Sequence, residues 1–249
     1  MPHDHAIQCL HDPLLVILSY LVSVLGSFTA LQLAIAIPAA RGAQRWRAII
    51  AAGAAMGGGA IWAMHFIAML ACRMDIAVSY DLGLTALSAV IGMASCMAGL
   101  AIAGSGVFGW GKLAVAGVFM GLGVTGMHYT GMAAMLMPAD THYDTTLVAA
   151  SAAIAIVASI VALWLAFNLR GWLQMLGSAL VMGVAVCGMH YTGMAAATFL
   201  PNGAGDGVLA GGLSGANLGT GIFAISTVLL AVMLSLSLIR QRQRAMVQI

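Results

Sequence analysis

One six-residue string sets the terms on which this chain can fold. Met127-His128-Tyr129-Thr130-Gly131-Met132 recurs unchanged as Met189-His190-Tyr191-Thr192-Gly193-Met194, and a diverged copy stands earlier as Met64-His65-Phe66-Ile67-Ala68-Met69. The histidines lie 63 and 62 residues apart, each inside a long apolar stretch. A histidine in hydrocarbon is costly to keep and marks a functional site by default. Three in equivalent frames, each flanked by methionines, read as a metal site.

The surroundings of these strings fix the environment. The 249 residues are 62% hydrophobic and 6% charged, with no glutamate. Soluble domains carry about 25% charged residues, so this is an integral membrane protein. Seven apolar stretches, 13–37, 48–71, 82–104, 113–137, 146–169, 173–198 and 217–239, reach the roughly 20 residues a membrane helix needs. The expected fold is all-α, a seven-helix membrane bundle over residues 1–240, with a basic tail at 241–249.

A second pattern shows how the bundle is built. His11-Asp12, Tyr80-Asp81 and Tyr143-Asp144 open the first, third and fifth spans, and Ser19, Ser88 and Ser151 follow at the same distance. The unit is an outward-starting helix and a returning helix that carries the histidine motif. It occurs three times, over about 11–72, 80–138 and 143–200, and the seventh span (about 217–239) stands alone. Each unit has two spans, so successive units enter the membrane in one direction. These are parallel repeats, and His65, His128 and His190 are expected at one depth. The span limits put that depth on the order of 12–16 Å below the outer helix ends. Asp12, Asp81 and Asp144 are expected to cap their helices.

Charge predicts the orientation. Arg41, Arg45, Arg47, Lys112, Arg170, Arg240, Arg242 and Arg244 fall on one side, expected to be the cytoplasm, whereas Arg73 and all seven aspartates fall opposite. The N-terminus is thus expected outside, in a bacterial inner membrane. The basic tail reads as a topology anchor, not a nucleic-acid site. Cys9 and Cys72 share the outer side, where an oxidising compartment would permit a disulfide; Cys96 and Cys187 read as packing residues.

The ligand set follows from helical spacing. Residues i and i+4 share a face, which pairs His65 with Met69, His128 with Met132 and His190 with Met194. Met64, Met127 and Met189 are rotated by about 100° and reach an adjacent position. Neutral imidazole and thioether donors suit copper, above all Cu(I), better than magnesium or calcium; zinc or haem is the lesser expectation. Tyr129 and Tyr191 are candidates to support the site, Gly131 and Gly193 to let helices approach closely, and His11 to hang over the outer mouth. Met56, Met120, Met135, Met137 and Met182 read as packing residues, with Met135 and Met137 alternatively lining an access route. The His-rich start (His3, Asp4, His5, Cys9, His11) reads, for His3 and His5, as a flexible end; alternatively it collects copper or zinc.

The repeated MHYTGM string, the His11-Asp12 opening and Ser27-Phe28-Thr29-Ala30-Leu31 resemble the MHYT domain of bacterial membrane signalling proteins. The resemblance covers about residues 9–240. It implies a seven-helix sensor that binds copper through the motif's His and Met residues and detects oxygen, carbon monoxide or nitric oxide. It further implies cytoplasmic domains that make or degrade cyclic di-GMP, supplied by a partner or by a missing C-terminal output domain, and a homodimer is in keeping with a signalling bundle. Two departures stand out: the first motif lacks Tyr, Thr and Gly, and Gln32 takes a place where an acidic residue is expected. The alternative readings are copper transport, storage or delivery, and a zinc-dependent hydrolase. No buried carboxylate serves the hydrolase as general base, so a non-enzymatic role is expected.

Overall fold

Three aspartates organise one end of the molecule. The computed structural model describes residues 6–107, 109–169, 171–204 and 209–247. Asp12 opens α1 (Pro13–Ala34), Asp81 opens α4 (Leu82–Ala103) and Asp144 opens α6 (Thr145–Asn168). Their carboxylates accept from Leu14 N at 2.9 Å, Leu84 N at 2.7 Å and Thr146 N at 2.8 Å. These bonds satisfy amides that the first helical turn leaves free. The backbone N–H of each aspartate donates to the end of the returning helix, at Ala71 O, Ala134 O and Ala196 O, over 2.8 to 2.9 Å. Each aspartate therefore joins the two helices of its own repeat, and the capping expectation holds at all three.

The returning helices carry the motifs. The second span is one continuous helix in three parts: α2 (Gly42–Gly53), a π-helical segment (Ala54–Trp62) and α3 (Ala63–Ala71). The fourth and sixth spans are α5 (Trp110–Ala133) and α7 (Trp172–Ala195), and the last is α8 (Gly215–Val247). Seven helices among the described residues are long and apolar enough to cross a membrane, counting the second span as one. The protein is an all-α seven-helix membrane domain.

Several expected limits shift. The second span starts at Gly42, ahead of residue 48, and the fourth and sixth end at Ala133 and Ala195, short of 137 and 198. Apolar sequence runs on past those ends into short strands. β1 (Leu10–His11) pairs β2 (Cys72–Arg73); β3 (Ser79–Tyr80) pairs β4 (Met135–Leu136) and β7 (Leu213–Ser214); β5 (Ala139–Tyr143) pairs β6 (Ala197–Pro201), all antiparallel. Helical backbone also continues through 241–247, so these residues extend α8 and do not form a separate tail. His3 and His5 lie outside the described residues.

The two helix-bundle ends are closed differently. At the strand end, a Cys9–Cys72 disulfide with a Cα–Cα distance of 5.2 Å ties the segment before α1 to the end of α3. Arg73 pairs with Asp12 at the same corner. At the other end, Arg45 Nη2 donates to Ala101 O at 3.0 Å, and Lys112 Nζ donates to Ser105 O and Val107 O. Arg45 meets a free carbonyl of the last turn of α4, where the helix dipole favours a cation, and Lys112 meets carbonyls of the loop just beyond it.

Between the ends, the core has two layers. An inner one includes Leu31, Met56, Leu100, Met120, Met127 and Met189. An outer one includes Phe66, Met69, Tyr80, Met132, Met194 and Leu218. The motif's leading methionines of the second and third copies fall in the inner layer and all three trailing ones in the outer, so the histidines sit at the boundary.

Candidate metal centre

Each motif histidine lies near the outer end of its helix, six residues before Ala71 or five before Ala133 and Ala195. At about 1.5 Å per residue that is about 8–9 Å inside the helix ends, shallower than the 12–16 Å expected, because the spans end earlier than their hydropathy does. The three depths agree to within one residue, as expected from the repeat.

The three side chains meet. His65 Nδ1 is 3.0 Å from His190 Nδ1 and 3.1 Å from His128 Nδ1. The ring centroids are 4.8, 5.0 and 5.3 Å apart, all edge to face. All three residues are fully or almost fully buried, and one ring nitrogen from each lies within 4.8 Å of the others.

Protons alone cannot satisfy this cluster. The three Nε2 atoms have no hydrogen-bond partner among the described residues. If every Nδ1 is bare, lone pairs confront one another at hydrogen-bond distance. If one carries a proton, that ring's Nε2 is left as a buried acceptor with nothing to accept. Unpaired buried polar atoms are costly. A cation at the centre would satisfy all three Nδ1 lone pairs. Ligand nitrogens about 2.0–2.1 Å from a tetrahedral or trigonal ion stand about 3.3–3.6 Å apart, within a few tenths of an ångström of the observed spacing. The donor set therefore fits a borderline or soft ion of the copper or zinc type.

Glycines seat the rings. A Cβ added at Gly131 would overlap His65 Nε2, and one at Gly193 would overlap His128 Nε2. The motif's glycine thus makes room for the histidine of another repeat, a sharper role than general helix approach. In the first copy Ala68 stands at this position.

The motif methionines are all buried, with Met64 and Met127 at 0% exposure and Met194, the most exposed, at 7%. Met127 and Met189 pack into the inner core layer and Met69, Met132 and Met194 into the outer. The histidines are brought together directly; the methionines flank them above and below.

A cyclic outer ring covers the cluster. Tyr191 stacks edge-on with His11 at 5.4 Å, Phe66 with Tyr80 at 6.2 Å and Tyr129 with Tyr143 at 5.4 Å. Each motif aromatic therefore meets the residue that opens the next repeat, and the third meets the first. His11 is exposed and lies against Tyr191. Burial pushes the Tyr80 phenol up to about 12.

Serines unassigned by sequence reasoning complete the ring. Tyr129 Oη and Ser151 Oγ are 2.9 Å apart. In the first repeat, where Phe66 has no hydroxyl, Trp62 Nε1 donates to Ser88 Oγ at 3.0 Å. Thr192 Oγ1 donates to Gly188 O at 2.7 Å, one turn back on its own helix. Sequence reading also missed a longer motif. Met56-Gly57, Met120-Gly121 and Met182-Gly183 precede the three histidines, the methionines by nine, eight and eight positions. A Cβ at Gly57 would strike Gly92 of α4, at Gly121 the Ile156 backbone of α6, and at Gly183 Tyr20 and Val24 of α1. These glycines set the approach of each motif helix to the next repeat, in the same cyclic order as the aromatics.

A family model described as MHYT, bacterial signalling protein N terminal repeat, matches residues 58–116 and 121–179. The chain belongs to the MHYT family. The matched segments start 63 residues apart, the interval between His65 and His128. The bifunctional diguanylate cyclase/cyclic di-GMP phosphodiesterase MucR of Pseudomonas aeruginosa is 40% identical over 240 residues, which is 94% of this chain and 35% of MucR. The cyclic di-GMP phosphodiesterase NbdA of the same organism is 39% identical over 197 residues, 76% of this chain and 25% of its own length. The signaling protein YkoW of Bacillus subtilis is 32% identical over 202 residues, 78% of this chain and 25% of YkoW. The chain thus spans about a quarter to a third of these relatives. No solved structure is significantly similar to it.

Proposed function

We propose that this MHYT domain is a copper-binding membrane sensor that reports a diatomic gas (O2, CO or NO) or redox state to a cyclic di-GMP output. The observation that carries the reading is the convergence of three buried Nδ1 atoms within 3.0 to 3.1 Å along two edges of the cluster, with no protonation pattern that satisfies them. His65, His128 and His190 hold the ion, and Met64, Met69, Met127, Met132, Met189 and Met194 complete or flank its shell. Copper held by three nitrogens supplies an open coordination position and a one-electron redox couple. The chain's own residues supply the rest. The aromatic ring excludes water, Gly131 and Gly193 seat the imidazoles, and three helices from three repeats converge on one point.

That convergence is a lever. Any change in preferred ligand geometry acts on α3, α5 and α7 together. It shifts the bundle to the extent that the ligand binds its two states unequally. α8, which packs on α3, carries the shift toward the charged end, read as the cytoplasmic side. The output domains named in MucR and NbdA are the kind of partner it would address; these lie in a C-terminal extension or a separate protein, and a homodimer would present them in pairs.

Metal content per chain tests the reading, measured by mass spectrometry on protein in detergent beside a His65/His128/His190→Ala variant. About one copper per wild-type chain, absent from the variant, is expected. Equal content in the two would sink it. A second reading, copper transport, storage or delivery, draws on Met56, Met120 and Met182, which line a common cavity beneath the histidine layer. It calls for several ions per chain and copper flux across liposomes, where the sensor calls for one ion and none.

A further inference from the structure

Beneath the histidines the threefold order is broken by a cavity of about 430 Å³. It runs from the centre of the bundle, at Met56 and Met120, to the gap between α6 and α7. Its walls are aliphatic side chains and thioethers, with two serine hydroxyls, those of Ser27 and Ser159. Two observations say more than that it is apolar. The outer rim includes Val157 and Val181, which are 61% and 60% exposed on membrane-spanning helices and so face lipid. At the inner end stands Ser27, fully buried, whose Oγ has no hydrogen-bond partner among the described residues.

A buried hydroxyl without a partner is costly. A serine on a helix ordinarily meets that cost by bonding the carbonyl one turn back, as Thr29 does to Leu25 O at 2.8 Å on the same helix. Methionine is also the residue that fills irregular gaps, yet four of them, Met56, Met120, Met182 and Met189, border this space without closing it. Its volume is in the range of small-molecule sites, which are mostly apolar with a few placed polar groups.

We propose that this cavity binds a neutral lipophile drawn from the bilayer, of the fatty-alcohol or lipophilic carbonyl class. Its single oxygen-bearing end hydrogen-bonds Ser27 Oγ, and its apolar body leaves between α6 and α7 toward lipid. A charged head is excluded, because no ionisable group lines the cavity. A plain acyl chain leaves Ser27 unpaired. Met189 borders the cavity and precedes His190 in sequence, so occupancy bears on one of the three motif helices beside the metal centre. The binding itself does not depend on metal.

The test uses the full chain in lipid nanodiscs and a long-chain primary alcohol carrying a photoactivatable diazirine. The matching diazirine alkane, without the hydroxyl, is the comparison. Cross-linked peptides are mapped by mass spectrometry, and metal content is measured on the same samples. Saturable labelling of residues 153–162 and 181–189 by the alcohol is expected. Ser27→Ala should weaken alcohol binding about threefold to tenfold, the loss of one hydrogen bond, and leave alkane labelling unchanged. Ala185→Phe and, from the facing wall, Ala158→Phe should each abolish cavity labelling. Equal labelling by alcohol and alkane would show acyl-chain packing alone and overturn the proposal. Labelling insensitive to both phenylalanine variants, or cross-links to a second copy of the chain in place of the probe, would overturn it too. Absence of copper would leave these outcomes untouched, so the two readings fail separately.

Discussion

His65 and His190 are 125 residues apart in the chain, and their Nδ1 atoms lie 3.0 Å apart in the core of the bundle. The first and third repeats touch here through their most polar buried atoms. His65 Nδ1 lies within hydrogen-bond distance of the histidines of both other repeats. The contact holds the ends of three helices to one point.

Gly131→Ala and Gly193→Ala place a methyl group on the Nε2 of His65 and His128 respectively. Each should cost about 1–3 kcal/mol as an overpacked core site and weaken metal binding at least about tenfold, since that is worth only 1.4 kcal/mol. Competition against a Cu(I) chelator measures the second effect. Wild-type affinity in both variants would mean that the imidazoles are not seated by these glycines.

Gly121→Ala should separate a packing glycine from a lipid-facing one. Its new Cβ would meet the Ile156 backbone, whereas a Cβ at Gly188 meets nothing within 4 Å. Thermal unfolding in detergent should show a loss of about 1–3 kcal/mol for Gly121→Ala and a neutral change or a gain of up to about 1 kcal/mol for Gly188→Ala. The reverse order would refute the close approach of α5 and α6.

The Asp12 carboxyl should make stability fall in acid. Burial works to raise it, but the Leu15 and Leu14 N–H groups and the Arg73 guanidinium outweigh burial and hold it below its ordinary value. A carboxylate depressed in the folded state stabilises above its unfolded value of about 3.9 and loses that effect as pH falls through the folded value. Unfolding followed from neutral pH downward should steepen below about pH 4, and Asp12→Asn should flatten that part of the curve. A variant that tracks wild type across the range would show that the corner contributes nothing.

The Cys9–Cys72 bridge closes a loop with a sequence separation of 63. Losing it in the Cys9→Ser/Cys72→Ser double variant should cost about 2–5 kcal/mol, the usual range for a native disulfide. In intact cells neither cysteine should react with a maleimide before reduction, and both should afterwards. Labelling without reduction would place this end of the bundle in a reducing compartment and reverse the orientation read from the arginines.

Much of this was legible before any coordinates. The three motif copies gave the histidine cluster, because identical frames in parallel repeats put identical residues at one depth. The aspartate caps were equally plain. The depth itself was misjudged: Met135, Leu136 and the Ala197–Leu200 stretch are apolar enough to read as helix, yet their backbone pairs in strands. Strands of two and five residues leave little periodicity to detect. The cyclic contacts, Tyr129 to Ser151 and Gly121 to Ile156, depend on which neighbour each repeat packs against, and spacing along a chain carries no handedness. The cavity was unreadable for the same reason, since the residues bordering it come from five spans.

The π segment over Ala54–Trp62 accounts for one surplus residue in the first motif helix. From Met56 to His65 is nine positions, against eight from Met120 to His128 and from Met182 to His190. A wider turn of helix swallows the surplus residue, and phase is restored before the histidine is reached. The first repeat is therefore a slipped gear brought back into mesh. Deleting Gly58 alone should turn that stretch into ordinary α-helix and leave His65 aimed at its partners. The same deletion made in α5 or α7, where there is no slack to take up, would swing the histidine by about 100° and away from them.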